Sequence, residues 1–236
     1  MKVNVYIDGL NLYKGALSGR PGLKWLDLLA LSRTILNLDL INRIFFFTSP
    51  MKRRFSGDLS PERQGTYLRV LRYQGIETIS GKTVKYEKWL RHTDCSRKVF
   101  VQPPMPKLFG ATSFAIHKSW SAAAPDLPKS KVTLFSEKAS DVNLASFLLR
   151  DSLLGKIERA LVVSGDSDLF TPIAISREAG IEVTVAVPNK TQLSSRLKNI
   201  ATYFNHVSPE LLAASQLPKP FETSRGSLIY APKEWS

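Results

Sequence analysis

Apolar and polar positions fall into blocks along this chain, and the period changes from block to block. Short apolar runs of strand length alternate with stretches in which apolar residues return at helical spacing. Residues 3–7 form the first run, and residues 41–48 the second, with Phe45, Phe46 and Phe47 at its centre. Residues 76–79, 160–163 and 181–187 are three more, and 203–207 could form a last edge strand. Between them, Leu26, Leu29, Ile35 and Leu36 predict a helix over about 25–37. Ser60-Pro61-Glu62 reads as a helix start, with a capping Ser, a Pro in the first turn and then an acid; this helix should run to about Tyr73, where Gly75 stops it. Ser140 is expected to cap a helix to about residue 152, with Val142, Ala145, Leu148 and Leu149 on its inner face. Further helices are expected over 170–178, closed by Ala179-Gly180, and over 192–199. Strands alternating with helices predict an α/β fold whose mostly parallel sheet is covered on both faces.

The pattern lapses between residues 81 and 131. No period is sustained there, and Pro103, Pro104, Pro106, Pro125 and Pro128 interrupt it. This stretch reads as an irregular inserted subdomain with one strand at 99–102, inside a single domain over 1–216. Order returns in the short apolar segment 132–135. The Pro-rich tail from Leu217, with Trp235 near its end, is expected to be loosely ordered.

Charge adds a partner class. The chain has 236 residues, 43% of them hydrophobic, and a formal net charge of +13 with a pI of about 9.9. The segment 81–131 carries ten Lys and Arg against Glu87, Asp94 and Asp126, so it supplies +7 of that total. Such a surplus favours nucleic acid or another acidic partner. Cys95 is the only cysteine, which excludes an internal disulfide and fits a reducing compartment. The chain enters a strand directly after Met1-Lys2, without a targeting pattern, and no apolar stretch approaches the ~20 residues of a spanning helix. A cytoplasmic protein that does not engage a membrane is the expectation. A homo-oligomer is compatible with the sequence.

The candidate chemistry lies at the ends of the predicted strands. Asp8 follows the first run directly, and Asp166 and Asp168 follow the run 160–163 after the turn Ser164-Gly165. In an open parallel sheet the carboxyl ends of the strands border the ligand crevice. Carboxylates gathered there repel one another unless a hard cation joins them. Each acid also has an ordinary explanation. Asp8-Gly9 is a turn signal, Asp168 could cap the helix that follows, and Asp141 sits in a first helical turn, where the dipole favours acids. Asn11 could cap a turn or hydrogen-bond a ligand. Lys138 could touch a phosphate or be a surface lysine.

Three segments taken together resemble the signatures of the NYN domain family, a branch of the PIN-like nucleases: Ile7-Asp8-Gly9-Leu10-Asn11-Leu12, Glu137-Lys138-Ala139-Ser140-Asp141-Val142-Asn143-Leu144-Ala145, and Val163-Ser164-Gly165-Asp166-Ser167-Asp168-Leu169. Arg63-Gln64 and Gly81 also look like family features. The match covers roughly residues 2–187. It departs at Leu169, where the family usually shows Phe, and at the segment 81–131. The resemblance implies a Rossmann-like α/β/α sheet and a metal-dependent ribonuclease. Asp8, Asp141, Asp166 and Asp168 would hold Mg²⁺ or Mn²⁺, with Asn11 and Ser164 supporting them by hydrogen bonds. A divalent ion suits phosphodiester hydrolysis because it lowers the pKa of bound water and clamps phosphate oxygens, and carboxylate oxygens select Mg²⁺ or Mn²⁺ over softer metals.

Single-stranded RNA is the expected substrate, with single-stranded DNA an alternative. Lys82, Lys85, Lys88 and Lys138 are candidate phosphate contacts, as are Arg53 and Arg54 beside Lys52. Tyr86, Trp89, Phe100, Phe109, Phe114 and Trp120 are interleaved with the basic residues, and such a mixture either stacks on bases or forms a small core. His92, Cys95 and His117 fit no standard zinc spacing. Phosphate-cradling glycine loops and the context of a Ser or Cys triad are absent from the sequence. Two other function classes remain open: a non-catalytic binding module for nucleic acid or protein on the same fold, and a metal-dependent phosphatase or nucleotide hydrolase.

Overall fold

The computed structural model describes residues 2–37, 40–91, 129–188 and 195–235. Six strands form one sheet: β1 (Val3–Asp8), β2 (Arg43–Thr48), β3 (Glu77–Ser80), β6 (Arg159–Val163), β7 (Glu182–Val187) and β8 (Tyr203–His206), in the order β3-β2-β1-β6-β7-β8. Every neighbouring pair is parallel. The chain runs outward through β2 and β3 on one side of β1, and through β6, β7 and β8 on the other. The order therefore reverses between β1 and β6, and the carboxyl ends of these two strands flank the crevice where open α/β sheets bind ligands.

Two apolar layers explain why the sequence folds this way. Residues alternate across each strand, so Val3, Val5 and Ile7 face one side and Tyr6 the other. The first layer joins Leu161 and Val163 to helix α2 (Leu28–Leu36), helix α3 (Ser60–Tyr73) and the short α1 (Gly9–Leu12). The second packs Phe45, Phe47, Val162 and Val185 against Leu144 and Leu148 of α4 (Ser140–Leu153) and Ile173 of α5 (Phe170–Glu178). The short α6 (Ser195–Ile200) adds Leu197 to the second layer and α7 (Pro209–Ala214) adds Leu212 to the first. The result is a Rossmann-like three-layer α/β/α fold. Among the described residues, no helix is long and apolar enough to cross a membrane.

A buried polar group ties α4 to β1. Asp151 is fully buried and accepts hydrogen bonds from Tyr6 Oη at 2.9 Å and Asn4 Nδ2 at 3.0 Å. Arg150 Nε donates to its other oxygen at 2.8 Å. A buried carboxylate is tolerated only with such partners. The same helix carries Asp141 and the same strand carries Asp8.

Several elements differ from the sequence reading. The first long helix is shorter than expected because Asp27 caps it, its carboxylate accepting from Leu29 N and Ala30 N. Ser60 does not cap α3; Asp58 accepts the Ser60 N–H instead, at 3.0 Å. The stretch after Gly81 begins not irregularly but as a strand, β4 (Lys82–Arg91), which pairs with β5 (Lys129–Lys138). Chain compactness separates Val84–Ser136 as a second unit from Met1–Thr83 with Glu137–Ser236. The expected strand at 99–102, the aromatics Phe100, Phe109, Phe114 and Trp120, the residues His92, Cys95 and His117, and the start of the expected helix 192–199 lie outside the described residues.

The C-terminal tail is ordered, contrary to expectation. It forms a two-stranded sheet of β9 (Phe221–Glu222) and β10 (Leu228–Ile229). Trp235 packs with ring centroids 6.3 Å from Trp25 and 6.1 Å from Tyr67. Trp25 Nε1 donates to the Pro218 carbonyl at 3.0 Å. Its Pro content conceals aromatic anchoring that only tertiary packing supplies. Deleting residues 218–236 should therefore cost about 3–5 kcal/mol, by analogy with aromatic truncation in a core, and lower the thermal midpoint by roughly 6–20 °C. A melting curve superposable on that of the full chain would show the tail to be dispensable.

Candidate active site

Asp8 ends β1, and only 4% of its surface is exposed. Its Oδ1 accepts the Asn11 N–H at 2.9 Å and so caps α1. Helix α1 can start there because Gly9 has no side chain: an added Cβ would lie 2.6 Å from the Phe46 ring and 2.8 Å from the Phe47 carbonyl oxygen. From the end of β6, the buried Ser164 hydroxyl donates to Asp8 Oδ2 at 2.9 Å and accepts the Asp166 N–H at 3.1 Å. Asn11 Oδ1 accepts the Gly165 N–H at 2.9 Å. Two strand ends on either side of the topological switch are thus joined by hydrogen bonds. Asp166, not Asp168, caps the turn that follows, its Oδ1 accepting the Asp168 N–H at 3.0 Å.

Asp141 arrives from the start of α4. The cap there is Ala139, in the left-handed region with φ of 75°, and Ser140 makes no capping bond. Its hydroxyl instead donates to Glu137 and lies 3.3 Å from Ser49 Oγ. Gly81 allows this approach, since a Cβ on it would fall 2.5 Å from the Lys138 carbonyl oxygen and 2.7 Å from Ser140 Oγ. The ends of β2, β3 and β5 are thereby packed behind the first turn of α4.

The acids feel one another. Burial, the largest cause, pushes the Asp8 carboxyl up to about 6; the Asn11 N–H and Ser164 hydroxyl counter it, while the charges of Asp141 and Glu137 add to it. Asp141 is also raised, first by burial, then by Asp166, Glu137 and Asp168. Asp8, Asp141, Asp166 and Asp168 thus share one electrostatic neighbourhood. Glu137 belongs to it as well, and the sequence reading did not single it out. In the sequence it opens the second of the family-like segments, but no role was assigned to it there. Among the described residues, no three His, Cys, Asp or Glu side chains stand close enough to form a group that could hold a metal ion. The donor set is nonetheless all carboxylate oxygen, which fits Mg²⁺ or Mn²⁺ rather than a soft metal.

The basic candidates are spread more widely. Lys138 is exposed two residues before Ser140, and Lys82 is exposed directly after Gly81. Lys85 and Lys88 are exposed on β4, within the second unit. Arg53 and Arg54 are exposed in the loop between β2 and α3, paired with Glu62 and Asp58 respectively.

No family model matches the chain. It is 26% identical, over 260 residues, to a 6-hydroxy-3-succinoylpyridine 3-monooxygenase of Pseudomonas putida; the alignment spans all of this chain and 75% of that protein. A crystal structure of a protein of unknown function from Vibrio parahaemolyticus superposes with a TM-score of 0.49 and 14% identity, covering 89% of this chain and 94% of the other.

The raised Asp8 value makes a prediction with a definite sign. The folded protein binds this proton more tightly than the unfolded chain does, so Asp8 costs no stability below about pH 4 and an increasing amount as pH rises to about 6. Above that window the cost levels at roughly 3 kcal/mol, because each tenfold gain in proton affinity is worth about 1.4 kcal/mol. Asp8→Asn should raise the thermal midpoint of metal-free protein at pH 7.5 and have little effect at pH 3.5. Equal effects at both pH values, read by circular dichroism melts, would show that Asp8 is not held against its charge.

Proposed function

We propose that the chain is a metal-dependent ribonuclease of the NYN, PIN-like type, acting on single-stranded RNA in a reducing, cytoplasmic setting. One observation carries this reading. Asp8 is buried against its own charge at the switch point of the sheet, Asp141 from a second segment adds to that cost, and Asp166 and Asp168 from a third act in turn on Asp141. Structural acids in a turn or a helix cap need no such convergence. These four side chains would hold Mg²⁺ or Mn²⁺, which when bound supplies a nucleophilic water at neutral pH and neutralises phosphate charge. Ser164 and the Asn11 backbone keep the Asp8 carboxylate oriented, and the Asn11 side chain fixes the turn at Gly165. Asp166 keeps Asp168 at the mouth of the following helix. The net charge of +13 suits a polyanion better than a mononucleotide.

A second reading has its own observation. The relative that aligns along this whole chain is a monooxygenase of a hydroxypyridine acid. On that reading the crevice would take a planar heteroaromatic ring in place of a nucleic-acid strand.

Two assays separate the readings. Purified protein with Mn²⁺ should cut a labelled single-stranded RNA, and Asp8→Asn and Asp166→Asn should each reduce the rate by at least about 100-fold, the scale of losing one electrostatic element of a site, while the fold by circular dichroism is unchanged. Cleavage by the variants at the wild-type rate would assign the activity to a contaminant. Consumption of O₂ and reduced nicotinamide that depends on 6-hydroxy-3-succinoylpyridine, with RNA left intact, would favour the monooxygenase reading.

A further inference from the structure

The loop between β2 and α3 leaves the sheet beside the acidic end of β1. Phe47 of β2 is the register partner of Asp8, and Ser49, two residues on, lies against Ser140 at the start of α4. The loop then reads Lys52-Arg53-Arg54-Phe55, three cations followed by an aromatic. Phe55 is 64% exposed, and Met51 and Leu59 are also exposed. A single exposed apolar residue is ordinary on a protein surface. What distinguishes Phe55 is that the backbone around it is fixed although the ring is not buried.

Gln64 of α3 holds one limb of the loop: its Oε1 accepts the Met51 N–H at 2.7 Å and its Nε2 donates to the Ser49 carbonyl at 3.0 Å. Thr83 Oγ1 donates to the Pro50 carbonyl at 2.6 Å. Asp58 holds the other limb. Its Oδ2 accepts the Arg54 N–H at 3.1 Å, its Oδ1 accepts the Ser60 N–H, and its own N–H donates to the Phe55 carbonyl at 3.2 Å. Arg53 and Arg54 form ion pairs with Glu62 and Asp58, yet 64% and 55% of their side-chain surface stays open to solvent. Exposed ion pairs contribute little, and a guanidinium has five donors, so a phosphate can join or replace these partners.

A fixed loop that presents an aromatic face between cations matches one ligand chemistry. Bases stack on the ring and the backbone phosphates take the charges, with little ordering entropy left to lose on binding. In the interior of a duplex both faces of each base are covered by its neighbours, so apart from the terminal pairs only a single strand offers a free face. We infer that the β2–α3 loop grips a single-stranded polynucleotide, one base stacking on Phe55 while Lys52, Arg53 and Arg54 contact the flanking phosphates. The inference rests on the nuclease reading and names its substrate form. The six residue steps from Ser49 to Phe55 span at most about 22 Å, which sets the stacked base within a few nucleotides of the bond to be cut.

The test is binding of a fluorescently labelled single-stranded RNA, and of a blunt duplex of the same sequence, measured by anisotropy with chelator present so that nothing is cleaved. Phe55→Ala should weaken single-strand binding by roughly 5- to 150-fold, the range for loss of one stacked base, with duplex binding and the melting midpoint unchanged. Phe55→Trp should restore the affinity. An abasic site moved along the strand should lower wild-type affinity at one position, and that dip should vanish in Phe55→Ala. Wild-type binding that Phe55→Ala leaves unchanged, or loses equally on single strand and duplex, overturns the role of the loop while the nuclease reading stands. Wild-type protein that neither binds nor cuts any RNA removes the nuclease reading and this inference with it.

Discussion

The organisation of this molecule depends on the carboxylate at the end of β1 being held in a buried position between two strand ends. An ionised Asp8 with 4% exposure needs donors, and it has them from both sides of the switch point: the Asn11 N–H after β1 and the Ser164 hydroxyl after β6. Those bonds fix the chain turns on which Asp166 and Asp168 sit. Because all neighbouring strands of the six-stranded sheet are parallel, the loops that follow them emerge along one edge of it.

The third segment is brought in by packing at a distance from the acids themselves. Asp151, near the far end of α4, is bonded to Tyr6 and Asn4 of β1, so the helix that carries Asp141 is tied to the strand that carries Asp8. At the near end, Gly81 makes room for Ser140 and the Lys138 carbonyl. Burial first, then the neighbouring acids, raises the proton affinity of Asp8 and of Asp141. Acids held against their charge at strand ends are candidates for a ligand site, and the proposed function rests on that.

Much of this was legible in the chain because it rests on local signals. Strands β1, β2, β6 and β7 are buried on both faces and read as apolar runs; Asp8 closes the first such run, and Asp166 and Asp168 follow β6 after a two-residue turn. What was not legible depended on contacts distant in sequence. Nothing local marks Asp151 as buried beneath Tyr6. Ser60 and Ser140 resemble caps, but Asp58 reaches the first helical N–H of α3, and Ser140 turns back to Glu137. Ala139 takes a left-handed backbone that its residue type does not suggest. The tail looked unanchored because Trp235 finds its partners, Trp25 and Tyr67, far away in the chain. Glu137 escaped notice for the same reason: its weight comes from standing near Asp8 and Asp141 in space.

The central claim is that the converged aspartates form a seat for a hard divalent cation. Titrating Mn²⁺ into metal-free protein at neutral pH, with the thermal unfolding midpoint as the readout, tests it most directly, because binding to the folded state alone raises stability by mass action. At about 100 times the dissociation constant the gain is about 2.7 kcal/mol, equivalent to roughly 5–11 °C for a chain of this size. A saturable rise of that order is expected in the wild type, with its loss in Asp166→Asn. A midpoint that Mn²⁺ leaves unmoved up to millimolar concentrations, or that rises equally in the variant, would contradict the claim.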